Sequence, residues 1–173
     1  MKENFKDCLS MLLKHEGGFV DHPKDPGGAT NKGVTKKVYD EYLGRECTID
    51  ELKNIPIDHV EEIYKKNYWD KVKGDDLPNG VDFSIFDWAV NSGPGRASKA
   101  LQKVIGATQD GAIGPKTLQL VDTKSPKEII DRVSEERENF YRSLKTFDTF
   151  GKGWIRRNDE TAHFSMTLYS LKK

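Results

Sequence analysis

Phe5, Cys8, Leu9, Leu12 and Leu13 recur at the i, i+3, i+4, i+7, i+8 spacing of a single helical face, and the next step of that stripe falls on Glu16. The pattern predicts an amphipathic helix that ends at Glu16, because Gly17-Gly18 follow and supply a permissive backbone for its termination. From Phe19 to Thr35 the periodicity is lost among Asp21, Pro23, Asp25, Pro26, Gly27, Gly28, Asn31 and Gly33, so the segment reads as a short β-hairpin or an irregular loop. Phe19, Val20 and Val34 tie its ends to a core. Thr35 then caps a helix running to about Leu43, with Gly44 as its stop. Thr48 and Glu51 form a capping box for a short helix that Pro56 closes. Asp58 and Glu61 repeat the box ahead of Val60, Ile63, Tyr64, Asn67 and Tyr68, in a helix ending near Trp69.

After a turn-rich connector, Val81 to Ser92 (VDFSIFDWAVNS) is apolar nearly all the way round, the mark of a helix buried among others. Gly93-Pro94-Gly95 is the sharpest break in the chain and divides it into segments 1–93 and 94–173, expected to pack as one unit. A helix from about Arg96 to Ile105, a turn at Gln109-Asp110-Gly111 and a short helix near Pro115 follow. Ser125-Pro126 opens what reads as the longest helix, through about Phe147, with Pro at its first position. Arg137 falls inside its apolar stripe and is read as a snorkelling side chain in preference to a buried partner for a carboxylate. A final helix is expected from Asp159 or Thr161 to Leu171. The fold class is mostly α, with one small hairpin or irregular loop after the first helix.

Composition narrows the function classes. In 173 residues, apolar side chains make up 35% and charged ones 32%, enough for one domain or two small ones with modest cores. Lys plus Arg equals Asp plus Glu, 28 each, which leaves no electrostatic case for nucleic acid or an anionic membrane. The opening MKENFKDCLS lacks the apolar core of a signal peptide, and no run approaches the ~18 apolar residues of a spanning helix. Synthesis in the cytoplasm is therefore expected, as is a monomer. Cys8, on the apolar stripe, reads as a buried thiol, with a single Cys8–Cys47 bridge left open. The four histidines show no metal spacing, and no cofactor motif, nucleophile elbow or phosphate loop is present.

What remains is carboxylate chemistry. Burial on the stripe and the negative end of the helix dipole both favour a neutral acid at Glu16, and a neutral acid is what general-acid catalysis needs. The plainer alternative is a side chain frayed out to solvent. Cleaving a glycosidic bond requires an acid on the leaving oxygen and, for inversion, a base ~6.5–9.5 Å away holding water. Asp21 and Asp25 lie on the following loop, though each also suits turn chemistry. Thr30 and Thr35 are candidates to position water. Asn91 and Ser92 read equally as donors to sugar N-acetyl groups or as helix-end caps. Tyr68, Trp69 and Trp88 offer stacking faces, but aromatics at helical spacing are more often core.

The run His15-Glu16-Gly17-Gly18-Phe19 followed by Asp25-Pro26-Gly27-Gly28-Ala29-Thr30-Asn31-Lys32-Gly33-Val34-Thr35, with Tyr68-Trp69 and Asp87-Trp88-Ala89-Val90-Asn91-Ser92-Gly93, closely resembles glycoside hydrolase family 108. That family comprises lysozyme-like N-acetylmuramidases of phage endolysins and bacterial "secretion activator" proteins. The resemblance implies a lysozyme-like helical fold, peptidoglycan glycan strands as substrate, action on the cell wall or in the periplasm after release, and Glu16 as the catalytic acid. Phage-type lysozymes share a related layout: Glu16 and Asp25 match its first interval, and Thr30 falls one residue short of its place. From Gly95 onward, Ala100-Leu101-Gln102 and Asp110-Gly111-Ala112-Ile113-Gly114-Pro115-Lys116-Thr117-Leu118 resemble a peptidoglycan-binding segment that accompanies this family. The resemblance thus implies an N-acetylmuramidase cleaving the β-1,4 bond between N-acetylmuramic acid and N-acetylglucosamine. A lytic transglycosylase, a chitinase-like lysozyme and a non-catalytic wall-binding or secretion-assisting protein are the alternatives.

Overall fold

A computed structural model of the chain describes residues 1–21 and 28–172. It divides into two compact units: Lys6–Lys66, and Asn67–Lys173 together with Met1–Phe5. The division falls ahead of Gly93-Pro94-Gly95. Among the described residues no helix is long and apolar enough to cross a membrane.

The N-terminal unit follows the apolar and capping pattern closely. Helix α1 is Phe5–Leu13 and buries Cys8, Leu9 and Leu12. A two-stranded antiparallel hairpin, β1 Thr30–Asn31 and β2 Val34–Thr35, leads into α2 Lys36–Leu43. Thr35 caps α2 by accepting from the Val38 N–H at 3.2 Å, and Gly44 closes it with φ +74. Helix α3, Ile49–Lys53, begins with the full Thr48/Glu51 capping box. Hydrogen bonds from Arg45, then from the Thr48 N–H, hold the Glu51 carboxyl down at about 2. Helix α4, Ile57–Tyr64, starts earlier than an Asp58/Glu61 box requires. Pro56, extended at φ −64 and ψ 146, is its N-cap, so Asp58 lies inside the first turn and caps nothing. A π turn, Lys65–Trp69, carries α4 on to Trp69. Cys8 and Cys47 are buried, unbridged thiols.

In the C-terminal unit the helices are α5 Val81–Ser92, α6 Pro94–Ile105, α7 Pro115–Asp122, α8 Pro126–Arg142 and α9 Phe147–Leu171. Helix α5 is the centre, with α6, α8 and α9 packed around it. Val81, Ile85, Trp88 and Ala89 of α5 share one core with Leu101 and Val104 of α6 and Ile130 and Val133 of α8. The longest helix is α9, and it begins at Phe147 instead of near Asp159. Gly151 and Gly153 look like breakers in the sequence, but Gly151 is buried against the Phe147 ring, where a Cβ would fall 2.5 Å from Cε2. That glycine makes room for an aromatic within a continuous helix.

Arg137 does not snorkel. It is 1% exposed, and its Nη2 lies 2.8 Å from Oδ2 of Asp87, which is wholly buried in α5. Arg157 of α9 donates to the same carboxylate through Nη2 at 3.1 Å and Nε at 3.2 Å, and the Thr161 hydroxyl donates at 3.0 Å. Burial alone would raise the Asp87 pKa, but the two guanidiniums and their hydrogen bonds outweigh it and hold the group below the usual carboxylate range.

Removing the carboxylate leaves the buried Arg137 and the partly buried Arg157 without their anion, so Asp87→Ala should cost about 3–5 kcal/mol in urea unfolding. Because the folded pKa lies below the unfolded one, the contribution of Asp87 is complete above the unfolded value of about 3.9 and is lost as pH falls toward the folded value. The wild-type urea midpoint should therefore drop in that acid window, and Asp87→Asn should lack this part of the drop.

Candidate active site

The chain reaches Glu16 by tightening. After α1, three successive i→i−3 bonds run from the N–H groups of Lys14, His15 and Glu16 to the carbonyls of Met11, Leu12 and Leu13, at 3.2, 3.0 and 3.2 Å. Glu16 thus ends a 3₁₀-like extension beyond α1, half-buried, instead of sitting on the α-helical stripe itself. The exposed Gly17-Gly18 pair then turns the chain, and Val20 exchanges two hydrogen bonds of 2.8 Å with Thr30.

The hairpin returns to Glu16. Its register pairs Thr30 with Thr35 and Asn31 with Val34, leaving Lys32-Gly33 as a two-residue loop. Both loop residues have positive φ, +52 and +76, as a type I′ turn requires. The Lys32 N–H donates to the Gly17 carbonyl at 3.1 Å. Tyr64, buried in α4, donates its hydroxyl to the Lys32 carbonyl at 2.8 Å. Asn31, also buried, donates to the carbonyls of Leu52 and Lys53 at 3.0 Å each, which fastens the hairpin to the end of α3.

These constraints press the bare Cα of Gly33 against two functional groups. A Cβ built there would run into the Tyr64 hydroxyl and stand 3.0 Å from Oε2 of Glu16. The fold therefore gathers the Glu16 carboxyl, the Tyr64 phenol and the Lys32-Gly33 turn into one cluster. Sequence reasoning named Glu16 but took Tyr64 for a core residue of α4. The Asn31-Lys32-Gly33 turn was the available signal for the cluster.

The other expected residues are distributed as follows. Asp25 lies outside the described residues. Asp21 is exposed next to the Val20–Thr30 bridge, and Thr30 is half-buried within it. The Thr35 hydroxyl is engaged as the cap of α2. Tyr68, Trp69, Asn91 and Ser92 all belong to the C-terminal unit. Tyr68 is half-buried. Trp69 is 0% exposed, donates its indole N–H to Asp75 at 2.8 Å, and packs edge-on with Phe5 and Phe86, which is a core position.

Asn91 and Ser92, half-buried, end α5. The Ser92 hydroxyl donates to Asn91 Oδ1 at 2.7 Å, and the Tyr141 hydroxyl donates to the same oxygen. Tyr141 in turn accepts from Arg137 Nε at 2.8 Å. The buried Asp87–Arg137 pair thereby reaches the end of α5, and the two donors on Asn91 Oδ1 fix which end of its amide is oxygen and which is the donor Nδ2.

Comparison with known proteins matches the chain to two families in succession. Residues 9–93 match Glycosyl hydrolase 108, and residues 96–159 match a family described as Predicted Peptidoglycan domain. Among solved structures, the chain is similar to SagA of Brucella abortus, with 43% identity, a TM-score of 0.86, and coverage of 98% of this chain and 97% of that one. No curated protein matches the chain significantly.

Gly33 and Gly44 have nearly equal φ, +76 and +74, but a Cβ at Gly44 would meet nothing within 4 Å. Gly44→Ala should cost only the left-handed backbone penalty, about 1–2 kcal/mol. Gly33→Ala should cost clearly more in the same thermal-unfolding comparison, because it must also displace Tyr64 or Glu16.

Proposed function

The chain belongs to the glycosyl hydrolase 108 family and is a glycoside hydrolase acting on peptidoglycan; from that premise we propose that it is an N-acetylmuramidase with Glu16 as its general acid. The bond cleaved is the β-1,4 linkage between N-acetylmuramic acid and N-acetylglucosamine. The observation that carries this reading is the seating of Glu16. Its carboxyl is half-buried at the end of a tightened helix and packed against the one face of the hairpin turn that has no side chain. A carboxyl fixed in this way can protonate a leaving oxygen without first ordering its own surroundings.

A second carboxylate would hold the attacking water. Asp25 is the preferred candidate because it keeps the interval from Glu16 found in phage-type lysozymes, and exposed Asp21 is its competitor. Thr30 is better suited than Thr35 to orient water, since the Thr35 hydroxyl already serves α2. The Nδ2 of Asn91 suits a sugar N-acetyl carbonyl, supported by the hydrogen bonds that occupy its Oδ1. The enzyme would work as a monomer on the wall once released from the cytoplasm, in the setting of an endolysin or a secretion activator.

Glu16→Gln should fold with an unchanged melting profile and lose at least ~100-fold of its turnover on purified sacculi, the lower end for a lost acid catalyst. Near-wild-type turnover by that variant would sink the assignment. Mass spectrometry of the digest should find reducing muramic acid ends. Anhydro-muramic ends would instead identify a lytic transglycosylase, and cleavage of chitin oligomers a chitinase-like lysozyme.

A further inference from the structure

The C-terminal unit carries an open groove of about 550 Å³ that lies entirely within it, in the range of pockets that hold small ligands. Trp88 and Phe140 are its aromatic lining, with ring centroids 6.3 Å apart and edge to face. Arg96, Lys99 and Lys103 bring three cations to it, and Glu136 brings one carboxylate. Glu136 is taken by Lys103, whose Nζ lies 3.0 Å away. The Arg96 guanidinium lies over the Phe140 ring, 4.1 Å from its centroid, which fixes a planar donor at the groove wall. The Lys99 stem is laid across the Asp110-Gly111 turn, with Cε 3.3 Å from where a Gly111 Cβ would be. Among the described residues neither Arg96 nor Lys99 pairs with a carboxylate. Trp88 itself is 2% exposed and belongs to the core beneath the groove, so Phe140, half-buried, is the aromatic ring the groove offers.

Two uncommitted cations beside an aromatic floor fit an anion with an apolar portion. In peptidoglycan the glycan backbone offers few charges, whereas the short peptide stems attached to it end in carboxylates and carry apolar side chains. We propose that this groove binds the peptide stem, seating a stem carboxylate between Arg96 and Lys99 with the adjoining apolar part against Phe140. The proposal rests on peptidoglycan as the substrate and goes beyond it by assigning the C-terminal unit to the peptide instead of the sugar. An enzyme held by the stem would remain on the wall while its other unit works along the glycan.

The test is co-sedimentation of the full-length Glu16→Gln protein with sacculi coupled to beads through their glycan strands, either intact or stripped of their stems by an amidase with the freed lactyl carboxylates then capped as amides. Intact sacculi should bind about tenfold or more tightly than stripped ones, and the difference should shrink as salt is raised. The Arg96→Glu/Lys99→Glu double variant should bind intact sacculi only as well as the parent binds stripped ones. Equal binding of the parent to both preparations would overturn the proposal, and so would undiminished binding by the double variant. Both positions are exposed, so circular dichroism should report an unchanged fold. If it does not, the single Arg96→Gln and Lys99→Gln variants carry the comparison. Glycan cleavage is read separately on soluble peptide-free strands, so a failure of Glu16 chemistry leaves the binding result standing.

Discussion

The interior position of Asp87 governs the C-terminal unit. Helix α5 is buried nearly all round, and a carboxylate in its middle has no route to water. Such a charge persists only if the surrounding helices supply opposite charge and hydrogen bonds. Here α8 supplies Arg137, and α9 supplies Arg157 and Thr161. The positions of those helices around α5 are thus specified by chemistry as well as by apolar packing. The same pair extends outward through Tyr141 to Asn91, so that a buried electrostatic requirement sets the state of a half-exposed amide.

In the N-terminal unit the corresponding constraint is backbone shape. The Lys32-Gly33 turn exists because two residues accept positive φ, and it stays where it is because Gly17, Tyr64 and Asn31 each hold part of the hairpin. Glu16 is placed by what the turn lacks. The absent Cβ of Gly33 is the space against which the carboxyl rests. The geometry around Glu16 depends on omission: only a residue without a side chain leaves room for the carboxyl beside the turn.

How much of this was legible depended on the type of signal. Local chemistry read well: Thr35 and Gly44 bound α2, Thr48 and Glu51 box α3, and the all-round apolar run of α5 appears at Val81–Ser92. Longer-range facts did not. Pro56 displaced Asp58 as the start of α4, because a fixed extended φ serves as well as a capping side chain. Gly151 hid the first half of α9, since no one-dimensional pattern distinguishes a glycine that ends a helix from one that admits a neighbouring ring. Arg137 was read as snorkelling because its partner lies fifty residues earlier, in a helix whose own pattern shows only apolarity. For the site, Glu16 stood out as a charge on an apolar stripe, whereas Tyr64 carried no such mark.

The partners of Asp87 are widely separated along the chain, with Arg157 70 positions away and Thr161 74. This has a consequence for how the unit is assembled. Helix α5 is synthesised long before α9, and until α9 docks its carboxylate is only half compensated. Any compact intermediate that sequesters α5 too early carries that deficit, so premature collapse is penalised and the correct arrangement is the first in which the charge comes to rest. The buried ion pairs thus discriminate energetically against any arrangement of these helices that leaves Asp87 uncompensated.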